Sequence, residues 1–165
     1  MADAALYRFV NASRVQQYRI AKTTSMGSHP NDGSITLTAS PWFPVSAEYQ
    51  AINLMEGSSY VHKMGQTSGW TWGQVFDTCV HTTIFGSGGS SAGLLCQYGV
   101  KLAFRGGDSG GPVFLWNYDG SAWLVGIIVY GGPTTGPPYT DYEAYFSPIE
   151  GIKNDMSPFT TWQTY

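Results

Sequence analysis

The stretch that decides the fold is Gly107-Asp108-Ser109-Gly110-Gly111-Pro112, which runs directly into Val113-Phe114-Leu115-Trp116. Its first half suits a tight turn that exposes a hydroxyl, and its second half is typical of a β-strand. Clusters of Gly, Asp and Ser also form plain turns. Three glycines around a single Asp-Ser pair are more than a turn requires, so we interpret Ser109 as a candidate nucleophile.

The composition indicates one β-rich domain with a weakly charged surface. The chain has 165 residues, of which 15% are aromatic and 12% charged, with 21 Gly and 9 Pro. Such a composition favours short strands joined by tight turns. A net charge of −3 gives no support for binding nucleic acid or an anionic membrane, and no apolar run approaches the ~20 residues of a membrane span. Without a ligand cluster or a phosphate-binding glycine motif, we expect no metal and no cofactor.

The two cysteines indicate the compartment. Cys79 and Cys96 flank a Gly-rich segment, residues 86–91, that lies midway between them. If that segment is a hairpin loop, the cysteines face each other on paired strands and can form a disulfide, although two buried free thiols are the alternative. A disulfide and low charge favour an extracellular location. The first residues lack the basic start of a secretory signal, so none is expected there.

The hydrophobic pattern predicts an all-β chain of six to eight strands, arranged as a barrel or a sandwich. One short helix is expected near residues 148–155. Asp119-Gly120 is the strongest hairpin signal. Strands are expected at residues 5–10, 34–39, 60–64, 70–83, 92–98, 112–116 and 122–130, with a strand also between 141 and 156.

The serine segment also matches Gly-x-Ser-x-Gly, the nucleophile turn of α/β-hydrolases. In those enzymes the serine lies between a strand and a helix, and the histidine follows it in the chain. Here a strand pattern follows Ser109, and the three histidines, His29, His62 and His81, all precede it. Both observations exclude that family.

The chain resembles the trypsin/chymotrypsin superfamily, particularly its bacterial, streptogrisin-like branch. Four segments match in the expected order. They are the Asp-x-Ala-Leu signature of the triad aspartate at 3–6, the glycine-flanked strand turn at 65–73, the nucleophile loop at 107–113, and the strand at 124–127 that leads to the substrate-pairing stretch at 129–131.

The resemblance implies a fold and three regions. The fold is an antiparallel β-barrel of the chymotrypsin type, made of the C-terminal barrel plus the last strand of the N-terminal barrel. Residues 1–20 would be the remnant of the N-terminal barrel, residues 21–50 a connector, and residues 51–165 the C-terminal barrel with the nucleophile loop.

The resemblance also implies roles for five residues. Ser109 would be the nucleophile and Asp3 the triad acid, and the backbone N–H groups of Gly107 and Ser109 would form the oxyanion hole. Asp108 would not be catalytic but would pair with Lys63 and hold the loop in shape. The alternative for Lys63 is an ordinary solvated side chain.

A substrate pocket follows from the same resemblance. Ala103 would lie at its base, with Val129 and Gly131 on its walls. Since no acid lies at the base, Lys and Arg are disfavoured as substrate side chains and a small or apolar one is favoured. Phe104 and Arg105 leave that specificity open.

The catalytic histidine is missing from its expected place. In this superfamily the order is His, Asp, Ser, and only Met1 and Ala2 precede Asp3. We expect His29 in a surface loop, His62 packed in a strand and His81 on the same side as Cys79, so none of the three is predicted to be the base; an alternative dyad using one of them ranks lowest.

Two functions remain open. The first is a serine endopeptidase, or its C-terminal fragment, that cleaves peptide or protein substrates and is inactive as an isolated chain unless a missing N-terminal half supplies the base. The second is a protease-derived half-barrel that serves as a non-catalytic structural or binding module and assembles with copies of itself.

Overall fold

The structure is a computed structural model, and it describes residues 17–85, 91–135 and 141–156. The predicted strand at residues 5–10 and Asp3 lie outside these residues. The described part contains nine strands, one 3₁₀ turn at Ala51–Asn53 and one α-helix. The strands are β1 Arg19–Thr23, β2 Met26–Ser28, β3 Leu37–Glu48, β4 Tyr60–Gly65, β5 Gly69–Phe85, β6 Ser91–Lys101, β7 Pro112–Trp116, β8 Ala122–Pro133 and β9 Tyr142–Pro148, and the helix is α1 Ile149–Met156.

Six of the strands close into a ring. The hydrogen-bonded order runs β8-β7-β4-β5-β6-β9, and β9 pairs again with β8, with every neighbour antiparallel. Side chains alternate between the inside and the outside of the ring, so the inner face carries residues such as Val61, Val113 and Phe146, all fully buried. The predicted antiparallel all-β barrel with one short helix after its last strand is confirmed.

An arm made of β1 and β3 covers part of the outer face of the ring. The two strands pair antiparallel, and the end of β3 pairs parallel with β8. Phe43 of the arm is fully buried against Trp70 and Phe114, with ring centroids at 4.9 and 5.5 Å. A second core cluster therefore lies outside the ring and ties the arm to β4, β5 and β7.

The arm explains why the strand count exceeds the prediction. The expected connector, residues 21–50, holds β2, β3 and most of β1. A strand was expected only at residues 34–39, because Pro41 and Pro44 argue against a continuous strand. These prolines lie in the half of β3 that, among the described residues, pairs only with β1. No second strand there needs the backbone N–H groups that the prolines lack.

Both predicted hairpins are present. β5 and β6 pair antiparallel, and the disulfide between Cys79 and Cys96 that joins them is confirmed. β7 and β8 meet at Trp116 and Ala122 around the Asp119-Gly120 turn, in which Gly120 has a φ of +85°. The segment 86–90 lies outside the described residues.

Candidate active site

The nucleophile loop leaves Ser109 exposed on a backbone that is held at both ends. The Asp108 N–H donates to the Arg105 carbonyl at 3.0 Å, and the Gly111 N–H donates to the Asp108 carbonyl at 3.0 Å. The loop is also bonded to β8, since the Gly110 N–H donates to the Ile128 carbonyl at 2.9 Å and the Ile128 N–H to the Gly111 carbonyl at 2.9 Å. The position of Ser109 is therefore fixed by its neighbours rather than by its own side chain.

Asp108 is the anchor of this loop. Its carboxylate pairs with the Lys63 ammonium at 2.9 Å, and both side chains are completely buried. The same carboxylate accepts the backbone N–H groups of Thr67, Ser68 and Arg105 at 2.9, 3.0 and 2.9 Å, as well as the Ser68 hydroxyl. A buried carboxylate that accepts five donors has its main hydrogen-bonding capacity filled.

The charge state of the pair follows from these contacts. Burial by itself would raise the pKa of Asp108, but the Ser68 hydrogen bonds, the Lys63 charge and the Arg105 amide outweigh it and lower that pKa below its usual value. Burial lowers the pKa of Lys63, and the Asp108 carboxylate counteracts that effect. Asp108 is therefore ionised at neutral pH and holds Lys63 as its counter-ion.

Strand β4 and the turn after it contain Lys63, Thr67 and Ser68, which contact the Asp108 carboxylate. Lys63 points into the ring because it shares a face with Val61, and its Nζ also reaches the Ser68 hydroxyl. Gly65 must lack a side chain, since a Cβ there would lie 2.2 Å from Asp108 Oδ1. Sequence reasoning assigned Lys63 but missed Thr67 and Ser68, although both belong to the matched Gly65–Gly73 turn and carry the donor groups that a buried carboxylate needs.

Gly107 and Ser109 present two unpartnered amides. Gly107 has a φ of +101°, and a Cβ at this position would lie 2.7 Å from Thr67 Oγ1, so only glycine fits without strain. Thr67 Oγ1 in turn donates to the Gly106 carbonyl at 2.8 Å. Among the described residues, neither the Gly107 N–H nor the Ser109 N–H donates to any acceptor.

The His62 imidazole packs among aromatic side chains on the outer face of the ring. Its Nδ1 accepts the Trp70 indole N–H at 3.2 Å, and its ring stacks on Phe114 at 5.6 Å. It points to the face opposite Lys63, its neighbour in β4. Burial lowers the pKa of His62 from 6.5 to about 4, so the imidazole is neutral and serves as an acceptor for Trp70.

The other two histidines also have partners of their own. His29 Nε2 lies 3.3 Å from Asp141 Oδ1, and His81 Nδ1 accepts the Cys96 N–H at 3.3 Å. Within residues 17–85, 91–135 and 141–156, no histidine is hydrogen-bonded to Ser109. The structure thus brings together Ser109, Gly107, Asp108 and Lys63, and it places all three histidines of the chain elsewhere.

A cavity of about 380 Å³ opens beside the nucleophile loop. Gly131 lines it, while Ala103 and Val129 are buried at 0% and 6% exposure. The Ala103 carbonyl accepts the hydroxyls of Ser68 and Thr71 at 3.3 and 3.2 Å. The residues that line the cavity are Thr67, Phe104, Arg105, Gly106, Gly131, Gly132, Pro133 and Tyr142.

The described residues offer no group of three or more His, Cys, Asp or Glu that could hold a metal ion. No helix in the same part of the chain is long and apolar enough to span a membrane.

Comparison with solved structures identifies the architecture. A glutamic acid-specific serine protease, described as using a histidine triad in substrate binding, superposes with a TM-score of 0.53 at 23% identity over 78% of this chain. The fold is that of the chymotrypsin-like serine proteases. Thermobifida fusca protease A gives a TM-score of 0.51 at 22% identity over 71% of the chain, and Cellulomonas bogoriensis chymotrypsin gives 0.52 at 18% over 74%.

The chain spans little more than half the length of these solved structures. The chain covers 59%, 54% and 58% of the lengths of these three proteins, respectively. No protein-family model and no curated protein matches the sequence. The structural likeness confirms the predicted resemblance to bacterial chymotrypsin-like proteases at the level of the fold.

Proposed function

We propose that this chain is the nucleophile-bearing part of a serine endopeptidase and that it is inactive, or nearly so, without a base supplied from outside it. The observation that carries the proposal is the exposed Ser109 beside the unpartnered amides of Gly107 and Ser109, on a loop fixed by the Lys63–Asp108 pair. Peptides or proteins are the proposed substrates.

The chemistry assigned to these atoms is acyl transfer. Ser109 Oγ attacks the carbonyl carbon of the scissile bond while a base takes its proton, and the carbonyl oxygen becomes an oxyanion that the two amides bind. The proton then passes to the leaving amine as the C–N bond breaks, and water hydrolyses the Ser109 ester. Each oxyanion-hole donor contributes about 3–4 kcal/mol to lowering the barrier.

The described residues place no general base at Ser109. Because His29, His62 and His81 are held by Asp141, Trp70 and the Cys96 amide, Ser109 keeps an unactivated hydroxyl. Loss of a triad member removes most of the catalysis but leaves a residual rate over water of about 10³–10⁴-fold. Asp3 remains the proposed triad acid, and a partner carrying the N-terminal barrel is the proposed source of the histidine.

Labelling of Ser109 tests the proposal directly. The isolated chain is incubated with a fluorophosphonate, with and without about 100 mM imidazole as an external base, beside the variant Ser109→Ala. We expect slow labelling that imidazole accelerates and that the variant abolishes. Equal labelling of the wild type and the variant would contradict a nucleophilic Ser109, and fast labelling without imidazole would contradict the missing base.

A non-catalytic, self-assembling half-barrel is the second candidate. It is favoured by large aromatic side chains that remain exposed, since Trp42, Trp116 and Trp123 are 37%, 45% and 38% accessible. Exposed apolar surface of this kind promotes association. Sedimentation equilibrium distinguishes the two, because self-assembly predicts a dimer or larger species at micromolar concentration, and a monomer excludes it.

We propose an extracellular location for either function. The Cys79–Cys96 disulfide supports it, since such bonds persist in oxidising compartments.

A further inference from the structure

The cavity beside the nucleophile loop has one charged residue among the lining residues that the structure describes. That residue is Arg105, and the other described lining residues are Gly, Pro, Thr, Phe and Tyr. Three of them, Phe104, Arg105 and Gly106, immediately precede Gly107 in the loop. A substrate whose carbonyl lies at the amides of Gly107 and Ser109 would therefore place a neighbouring side chain in or near this cavity.

The Arg105 guanidinium is held by two contacts, but most of its N–H groups have no acceptor among the described residues. Its Nε donates to Asp32 Oδ2 at 2.7 Å, and its Cζ lies 5.6 Å from the centre of the Tyr142 ring. The Tyr142 side chain is itself almost completely buried, so it provides a fixed platform for the cation. Of the five N–H donors of Arg105, only the one on Nε has an acceptor among the described residues.

We infer that this cavity binds a substrate side chain ending in a carboxylate, Glu or Asp, on the acyl side of the scissile bond, and that Arg105 determines this specificity. The inference rests on the proposed peptidase function and names its substrate class. The terminal amino groups of a guanidinium bind a carboxylate through two parallel hydrogen bonds. A basic side chain would meet the Arg105 charge and no acid among the described lining residues.

Asp32 limits this specificity. It belongs to the segment between β2 and β3 and already neutralises part of the Arg105 charge, in a contact where both side chains are partly exposed at 46% and 35%. A substrate carboxylate and Asp32 therefore compete for the same guanidinium. Removal of the Asp32 charge is expected to strengthen binding of an acidic side chain.

Peptide binding, rather than turnover, tests the inference, so the missing base does not interfere. The probes are Ac-Ala-Ala-Pro-Glu-NH₂ and the matching Gln and Leu peptides, titrated into the wild type and Ser109→Ala by chemical-shift changes in NMR. We expect the Glu peptide to bind about 10- to 100-fold more tightly than the Gln peptide in both proteins, because hydrogen bonds to a charged group are the stronger kind. Equal affinities, tighter Leu binding or no binding would overturn the inference.

Three variants assign the effect to Arg105. Arg105→Gln is expected to abolish the Glu preference, Arg105→Lys to retain part of it, and Asp32→Asn to increase it. The side chain of Arg105 is about half exposed, so its variants are expected to fold, and a thermal unfolding curve checks each one. A Glu preference that survives in folded Arg105→Gln would overturn the assignment.

The outcomes for cavity and nucleophile are separable. Fluorophosphonate labelling reports on Ser109, and the peptide titration in Ser109→Ala reports on the cavity alone. Failed labelling with a retained Glu preference would remove the peptidase proposal and leave a carboxylate-binding cavity, whereas normal labelling without the preference would remove only the specificity.

Discussion

The contact between Lys63 and Asp108 determines the shape of the site at the scale of single residues. Two fully buried charges cost desolvation energy that their attraction repays only with good geometry and further hydrogen bonds, which Ser68, Thr67 and Arg105 provide here. Apolar side chains of similar volume often replace such a pair without loss of stability. The pair is therefore better explained by the loop conformation that it imposes than by stability alone.

Breaking this pair from one side is expected to be costly. Lys63→Met leaves a buried carboxylate and Asp108→Asn a buried ammonium, and each is expected to lower the free energy of unfolding by about 3–5 kcal/mol. The double variant should lose less than the sum, with a coupling of about 1–3 kcal/mol. Urea unfolding of the four proteins measures the cycle. Strictly additive losses would show that the two side chains do not interact.

His62 is expected to make the protein sensitive to mild acid. Its pKa is about 4 in the folded chain and 6.5 when unfolded, so the unfolded state takes up the proton first. Above pH 6.5, His62 is neutral in both states and the free energy of unfolding is at its full value. As the pH falls towards 4, protonation of His62 in the unfolded state lowers this free energy by up to roughly 3 kcal/mol.

The measurement is urea unfolding at pH 7.5 and pH 4.5 for the wild type and His62→Gln. The wild type is expected to lose more stability between the two pH values than the variant, because Gln does not titrate. An equal loss in both proteins would place the acid sensitivity in other groups.

The nucleophile loop acts as one element, and Gly107 is the position in it that combines a positive φ with a close contact. Gly107→Ala combines a positive φ with a Cβ that would lie 2.7 Å from Thr67 Oγ1, whereas Gly120→Ala has a positive φ and open space around the Cβ. Both should destabilise by about 1–2 kcal/mol through backbone strain. Only Gly107→Ala is expected to slow fluorophosphonate labelling of Ser109, and similar labelling of the two variants would contradict a constrained loop.

The β5–β6 hairpin depends on its disulfide. The cysteines are 17 residues apart, and closing a loop of that size stabilises a protein by about 3 kcal/mol. Replacing both cysteines by serine is expected to lower the unfolding free energy by about this amount and to increase amide hydrogen exchange in the outer part of the hairpin. Unchanged exchange there would show that strand pairing alone holds it.

Elements that depend on short stretches of sequence could be predicted, whereas contacts between residues far apart in the chain could not. The midpoint of the cysteines and the Asp119-Gly120 turn are properties of short stretches, so both hairpins could be predicted from the sequence. β3 could not, because its two prolines are acceptable only where one neighbouring strand is absent. The contact of Asp32 with Arg105 joins two segments 73 residues apart and follows from the fold alone.

At the scale of the whole molecule, the described residues form a six-stranded ring with an arm docked on its outer face. Phe43 is the centre of that docking, and its neighbour Trp42 is partly exposed. Phe43→Ala is expected to lower the unfolding free energy by about 3–5 kcal/mol, and Trp42→Ala, as the matched control, by much less. Similar losses would indicate that the arm is held by its strand pairing and not by the aromatic cluster.

The buried contacts of Asp108 also affect the order in which parts of the protein fold. Lys63, Ser68 and Asp108 all belong to the ring and to the turns between its strands, so their contacts can form while the arm is still undocked. Closure between residues 63 and 108 depends on non-local strand pairing, which is a slow kind of step. A refolding chain would thus acquire a finished serine loop at the rate of ring closure, independently of the docking of the arm.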